Sequence, residues 1–195
     1  MRENNSKKKL FLNIVREDRA KNDVYPTPKC AIDSLLNNES FEGNIWECAS
    51  GEGHISKILI ERGFKVLSTE LREDRTVFGE KGIDFFKEDR KVDNIITNPP
   101  FCLAEDFVIH AIKCTNKKVA MLLRVGWLES KSRYKIFKST PISKIYIFSN
   151  RLPFYRNGVW YPSGASFNHA WYIWDKDYKE GLPKIDWLIH TNEIK

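Results

Sequence analysis

The sequence predicts an α/β fold: a mostly parallel, doubly wound sheet with helices on both faces and an antiparallel hairpin at its end. Three observations predict it. Strand-like apolar runs near 44–48, 65–70, 82–86, 92–97 and 118–124 alternate with helix-like stretches near 29–38, 54–63, 103–114 and 129–139, a rhythm that belongs to parallel sheets with crossover helices. The last two of the seven strand-like runs, near 143–148 and 168–175, have no helical pattern between them and are expected to pair antiparallel at the sheet edge. Finally, Gly51, Glu70 and Asn98 fall at or just after carboxyl ends of the predicted strands and Asp84 within the run near 82–86, which sets them toward the edge at which open α/β sheets bind ligands.

The elements follow in order. Tyr25-Pro26-Thr27-Pro28 precedes a helical pattern in which Ile32, Leu35 and Leu36 share a face; by composition the segment is a proline-rich loop. Asn44 to Glu47 is a short strand that runs through Cys48, Ala49 and Ser50 into a turn with Gly51 and Gly53, where the backbone can approach a ligand. A helix with Ile55, Ile58 and Leu59 on one face comes next. Ser56 stands where a dinucleotide fingerprint has its third glycine, and no Gly-Lys-Ser/Thr follows, which excludes a P-loop. His54 reads as a helix-start residue and Glu47 as a group that orients the glycine loop. Glu70 closes the next apolar run about 20 residues on, where an acidic side chain takes ribose hydroxyls in nucleotide-binding folds; an exposed strand-end carboxylate would look the same. In Gly82-Ile83-Asp84-Phe85-Phe86 an acceptor stands beside an aromatic, a pair that suits an adenine ring and equally suits an acidic loop residue before a core phenylalanine.

The run Val92 to Thr97 ends in Asn98-Pro99-Pro100-Phe101. The exocyclic amine of a nucleobase is a poor nucleophile because its lone pair is delocalised into the ring. Two acceptors that hold both N–H groups localise that pair. The Asn98 amide oxygen and the Pro99 carbonyl can be those acceptors, the two prolines stiffen the backbone, and Phe101 offers a face for stacking.

Taken in order, these segments resemble S-adenosylmethionine-dependent amino-methyltransferases, chiefly the N6-adenine enzymes and among them the small stand-alone forms of phages and prophages. The resemblance spans about residues 23–175. It implies the class I methyltransferase variant of the Rossmann-like fold and S-adenosylmethionine as cofactor. Tyr25, Thr27 and Pro28 would close over the methionine end, and Glu47, Ala49, Gly51 and Gly53 would form or orient the glycine loop, Glu47 also facing the cofactor ammonium indirectly. Glu70 would take the ribose, Asp84 and Phe85 the adenine. Asn98, Pro99, Pro100 and Phe101 would be catalytic, with Asn98 bordering both ligands. The implied reaction is methylation of adenine N6 in DNA. The same amine chemistry serves adenine in RNA or a protein glutamine amide, and a non-catalytic cofactor-binding subunit is the reading from another class.

The chain has 195 residues, enough for one domain with a core, expected at 23–195 behind a basic leader at 1–22. Lys plus Arg total 32 against 26 Asp plus Glu, a net +6 that suits a polyanionic partner. Lys7 to Lys9, Arg16, Arg19 and Lys21 could touch phosphates, or the leader could simply be solvated. Arg151, Phe154, Tyr155, Arg156 and Trp160, in the long connection 150–166, interleave cations with aromatics and are candidate nucleic-acid contacts. Phe154 is the candidate for stacking on an extruded base; Trp160 and Tyr161 could instead form a lid over the cofactor. No stretch is long enough for a separate target-recognition domain, so relaxed sequence specificity or a specificity partner is expected, in a monomer or small homo-oligomer. The scattered four cysteines and four histidines suggest neither a metal site nor a disulfide framework. No apolar stretch approaches membrane-spanning length, and a cytoplasmic location is expected.

Overall fold

A computed structural model describes residues 26–156, 159–161, 167–179 and 181–190, and of residues 154–156 and 159–161 the backbone alone. Tyr25 and the basic leader lie outside the described residues. The helices are α1 (Lys29–Asn38), α2 (His54–Glu61), α3 (Ala104–Cys114) and α4 (Lys131–Ser139). The strands are β1 (Ile45–Glu47), β2 (Val66–Glu70), β3 (Glu80–Lys81), β4 (Val92–Thr97), β5 (Thr115–Arg124), β6 (Ile142–Phe148), β7 (Phe154–Arg156), β8 (Val159–Tyr161), β9 (His169–Asp175) and β10 (Lys184–Leu188).

Eight strands form one sheet in the order β10-β6-β9-β5-β4-β1-β2-β3. All neighbours are parallel except β9, which runs antiparallel to both β5 and β6. The expected terminal hairpin is therefore present as β6 and β9. One strand more than the expected seven is found: β10 lies outside β6 and carries exposed Ile185 and Trp187. Its nearly uniform exposure removes the alternation by which a half-buried strand is read from sequence. The connection 150–166 holds a separate two-stranded hairpin, β7 with β8, pairing Tyr155 with Trp160.

The period-two alternation of the central strands builds a core on each face. Ile45, Ile96, Ala120, Leu122, Trp171 and Ile173 turn to one side, where they meet Ile32 and Leu35 of α1 and Ile55 and Leu59 of α2. Trp46, Ile95, Val119, Met121, Leu123, Tyr172 and Trp174 belong to the opposite cluster, with Phe107, Val108 and Ala111 of α3 and Ile136 of α4. Both faces are thus covered, as a parallel sheet requires.

One strand departs from expectation. Residues 82–86 are not extended: β3 is only Glu80–Lys81, and a single 3-10 turn occupies Phe85–Lys87. Gly82 takes a left-handed φ of 70° and Asp84 accepts the Phe86 amide hydrogen, so the chain leaves the sheet before the predicted strand begins.

Candidate active site

A cleft opens at the carboxyl ends of β1, β2 and β4, lined by Pro26, Thr27, Glu47, Ala49, Ser50, Gly51, Glu52, His54, Ile55, Glu70, Arg72 and Asn98 to Phe101. The fold thus brings together the proline-rich loop, the glycine turn, the acidic strand end and the Asn-Pro-Pro-Phe segment, which are far apart in sequence.

Buried carboxylates set the glycine turn. Glu47, 2% exposed, accepts the Ser56 amide hydrogen at 2.8 Å and the Ser56 hydroxyl on the same oxygen. Burial pushes its carboxyl up to about 8 against those bonds, and the nearby Glu70 charge adds to the rise. Glu70 accepts from the Gly51 amide at 2.9 Å and the Arg72 amide at 3.1 Å, one on each oxygen. Each oxygen keeps a lone pair for a ligand hydroxyl. Gly51 and Gly53 have φ of 52° and 81°. A Cβ on Gly53 would lie 2.5 Å from the Phe78 ring, whereas one on Gly51 would meet only Arg72 Nη2, at 3.9 Å. Gly53 is required by packing and Gly51 leaves open space over the backbone. His54, expected only to start a helix, also lines the cleft, and burial lowers its pKa.

Asn98 follows β4 on the face that Ile96 presents to α1, and its Nδ2 donates to Thr27 Oγ1 at 3.1 Å. The buried Thr27 hydroxyl takes the amide nitrogen, so the carbonyl oxygen Oδ1 has no partner among the described residues. Pro100 begins a 3-10 turn over Phe101–Leu103 that leads into α3. Phe101 is partly buried at the cleft, its ring 5.8 Å from the His169 ring and 4.7 Å from the Arg124 guanidinium carbon. Burial, helped by the nearby Arg124 charge, pushes His169 down to about 4.

Several sequence candidates stand elsewhere. Pro28 is the residue before α1 and does not line the cleft, although Pro26 and Thr27 do. Asp84 and Phe85 are not brought into the cleft lining. The Phe85 ring is 3% exposed and packs on Trp46, Phe107 and His110, while the Asp84 carboxylate caps the 3-10 turn and pairs with Lys87 at 3.5 Å. Arg151 is exposed, and its carbonyl accepts from the His190 ring at 2.9 Å. The side chains of Phe154, Tyr155, Arg156 and Trp160 lie outside the described residues. The sequence reading missed Arg72 and Arg124. Both are cations at or just past the carboxyl end of a predicted strand, the criterion that had singled out Glu70.

Among solved structures, the chain is similar to a candidate RNA methyltransferase from Pyrococcus horikoshii, with a TM-score of 0.60 and 16% identity over 78% of this chain and 86% of that one. It is also similar to the modification subunit of a candidate type I restriction enzyme from Vibrio vulnificus, with a TM-score of 0.55 and 13% identity over 93% of this chain and half of that one, 50%. A third match is a candidate O-methyltransferase from Agrobacterium tumefaciens, with a TM-score of 0.52 and 12% identity over 82% and 84% of the two chains. No protein-family model and no curated protein matches the sequence. At these identities the likeness establishes the architecture: this is the Rossmann-like class I methyltransferase fold.

Proposed function

We propose that this chain is an S-adenosylmethionine-dependent methyltransferase acting on the N6 amine of adenine in DNA. The observation that carries the reading is the orientation of Asn98: Thr27 holds its amide nitrogen, which leaves Oδ1 as an acceptor in the cleft beside Phe101. An acceptor oxygen, a proline carbonyl one residue on and an aromatic face suit a planar molecule with an exocyclic amine.

The cleft fits the cofactor on its own terms. Gly51 leaves open space over the backbone, Glu70 retains lone pairs for ribose hydroxyls, and its carboxylate suits a ligand that carries a sulfonium and an ammonium. When bound, the cofactor supplies an electrophilic methyl group. The chain's own contribution lies on the amine. Asn98 Oδ1 and the Pro99 carbonyl each accept one N–H, which localises the nitrogen lone pair and keeps it directed. As the nitrogen becomes cationic, the same two dipoles stabilise it without reorganising, and its proton passes to water. Phe101 supports the ring of the base. No strong base is needed, which agrees with a cleft whose histidine, His54, serves to begin α2.

An adenine in RNA is the second reading, favoured by the neighbour described as an RNA methyltransferase. Specificity is expected to be relaxed or supplied by a partner; the modification subunit among the neighbours is, by its description, one subunit of a type I restriction enzyme. The test is transfer of label from methyl-labelled S-adenosylmethionine to duplex DNA, single-stranded DNA and RNA, with nucleoside mass analysis. N6-methyladenine in DNA supports the reading and label in RNA alone moves it to RNA. Absence of label in every polymer, with the cofactor bound, overturns it.

A further inference from the structure

Arg124 ends β5, and the strand register sets it opposite His169 at the start of β9. Its carbonyl accepts the Tyr172 hydroxyl at 3.1 Å, and the next amide, that of Val125, donates to the Asn168 carbonyl at 2.9 Å, so the backbone that carries the side chain is fixed. The guanidinium carbon lies 4.7 Å from the Phe101 ring centroid and 4.1 Å from that of Phe167. Two aromatic rings thus hold one partly buried cation. Among the described residues no carboxylate lies within ion-pair distance of it, and its Nε is buried without a partner. This differs from the other cations set beside buried acids: Lys118 and Lys144 both pair with Glu39, at 2.5 and 2.7 Å.

Rings that stack on a guanidinium leave its donors, which lie in the plane of the group, to a planar or forked acceptor at its edge. A partly buried arginine without an anion is costly to keep unless a ligand supplies one. Two acidic residues of the cleft, Glu47 and Glu70, serve the glycine turn, and the position beside Phe101 is where a substrate base would stack. We infer that Arg124 is a substrate anchor whose guanidinium, held against Phe101 and Phe167, binds a phosphate of the nucleic-acid strand next to the target adenine. The inference rests on the methyltransferase reading above and adds to it the residue that couples the catalytic ring to the strand backbone.

The test measures binding of the full chain to fluorescein-labelled oligonucleotides, single-stranded and duplex, across a series of salt concentrations. Loss of one phosphate contact lowers the magnitude of the slope of log K against log salt by about 0.7 for a single strand and about 0.9 for a duplex. Arg124→Met, which keeps the length between the rings, is expected to show that decrease. It is also expected to raise KM for the oligonucleotide about tenfold while kcat and cofactor affinity stay near wild type. Arg124→Lys retains the slope, and Arg124→Gln gives the same decrease should the methionine variant fail to fold. A neutral variant with the wild-type slope overturns the proposal even if its activity falls, because the guanidinium then only props Phe101. If wild-type protein binds no oligonucleotide, the anchor is overturned too. If wild-type protein binds oligonucleotides and Arg124→Met lowers the slope, yet no label is transferred, the anchor stands and the methyltransferase reading alone fails.

Discussion

The two sides of the cleft are built in different ways. On the glycine-turn side two buried carboxylates take four donors: Glu47 holds the Ser56 amide and hydroxyl, and Glu70 holds the Gly51 and Arg72 amides. On the catalytic side the Asn98 amide donates to Thr27, and the Arg124 guanidinium lies close to the Phe101 and Phe167 rings. The first side has both buried carboxyl groups engaged by donors of its own turn and is shaped before any ligand arrives. The second leaves acceptors and donors unpaired and uses aromatic packing to aim them. Buried hydrogen bonds to backbone suit a fixed cradle, whereas stacking fixes a plane and leaves its edge free for exchange.

The sharpest way to break this contrast is to change each side and ask which function fails. Asn98→Ala removes an acceptor that the catalytic side offers the amine. It is expected to lower kcat by about 100- to 1,000-fold, the usual effect of deleting one aimed group at a developing charge, with cofactor affinity close to wild type in calorimetry. Equal loss of cofactor binding would mean that the two sides are not separable. Gly53→Ala attacks the other side, forcing a side chain into a left-handed φ and onto Phe78. Urea unfolding should reveal a loss of about 3 kcal/mol or more, with cofactor binding weakened in parallel. Gly51→Ala has the strain without the clash and should cost only about 1 kcal/mol. A larger stability loss at Gly51 than at Gly53 would reverse the assignment.

Glu47 sharpens the comparison through pH. Its carboxyl sits at about 8 in the fold against 4.5 ordinarily, so between those values the folded chain holds a proton that the unfolded chain releases. Stability from this group therefore falls as pH rises through that window, and the loss is complete above about 8. Glu47→Gln keeps a neutral acceptor for Ser56 and removes the slope. Its melting temperature is expected to exceed wild type at pH 9 and to converge with it below pH 4.5; parallel curves would show that the carboxyl titrates alike in the folded and unfolded chain. The smallest effect is expected from Ser56→Ala, which removes one hydroxyl from Glu47 and should cost about 1 kcal/mol in urea unfolding.

Much of the frame was legible in the sequence because it depends on local pattern. The alternation of Ile45 with Trp46 and of Ile95 with Ile96 signals strands buried on both faces, and the helix stripes of α1, α2 and α3 follow the same logic. Glu70 could be found because its place at a strand end is itself the signal. A capping aspartate beside a core ring has the same local sequence as a ligand-binding pair, and the packing of Phe85 under α3, on Phe107 and His110, is not written in that segment. The strand-end place of Arg124 is legible in the same way as that of Glu70, but what it touches is not. Its neighbours Phe101 and Phe167 reach it through the β4, β5 and β9 pairing, and nothing within the run 118–124 reports that register.

The antiparallel course of β9 has a consequence for how such a chain can change. Because β9 runs against β5 and β6, the segment that leaves Phe148 and returns at His169 begins and ends on the edge of the sheet that bears Asn98 and Arg124. Residues can be inserted or exchanged there while both anchor points, and the ladder that holds them, stay in register. A segment can therefore be exchanged at that edge of the sheet without redesigning the scaffold beneath it.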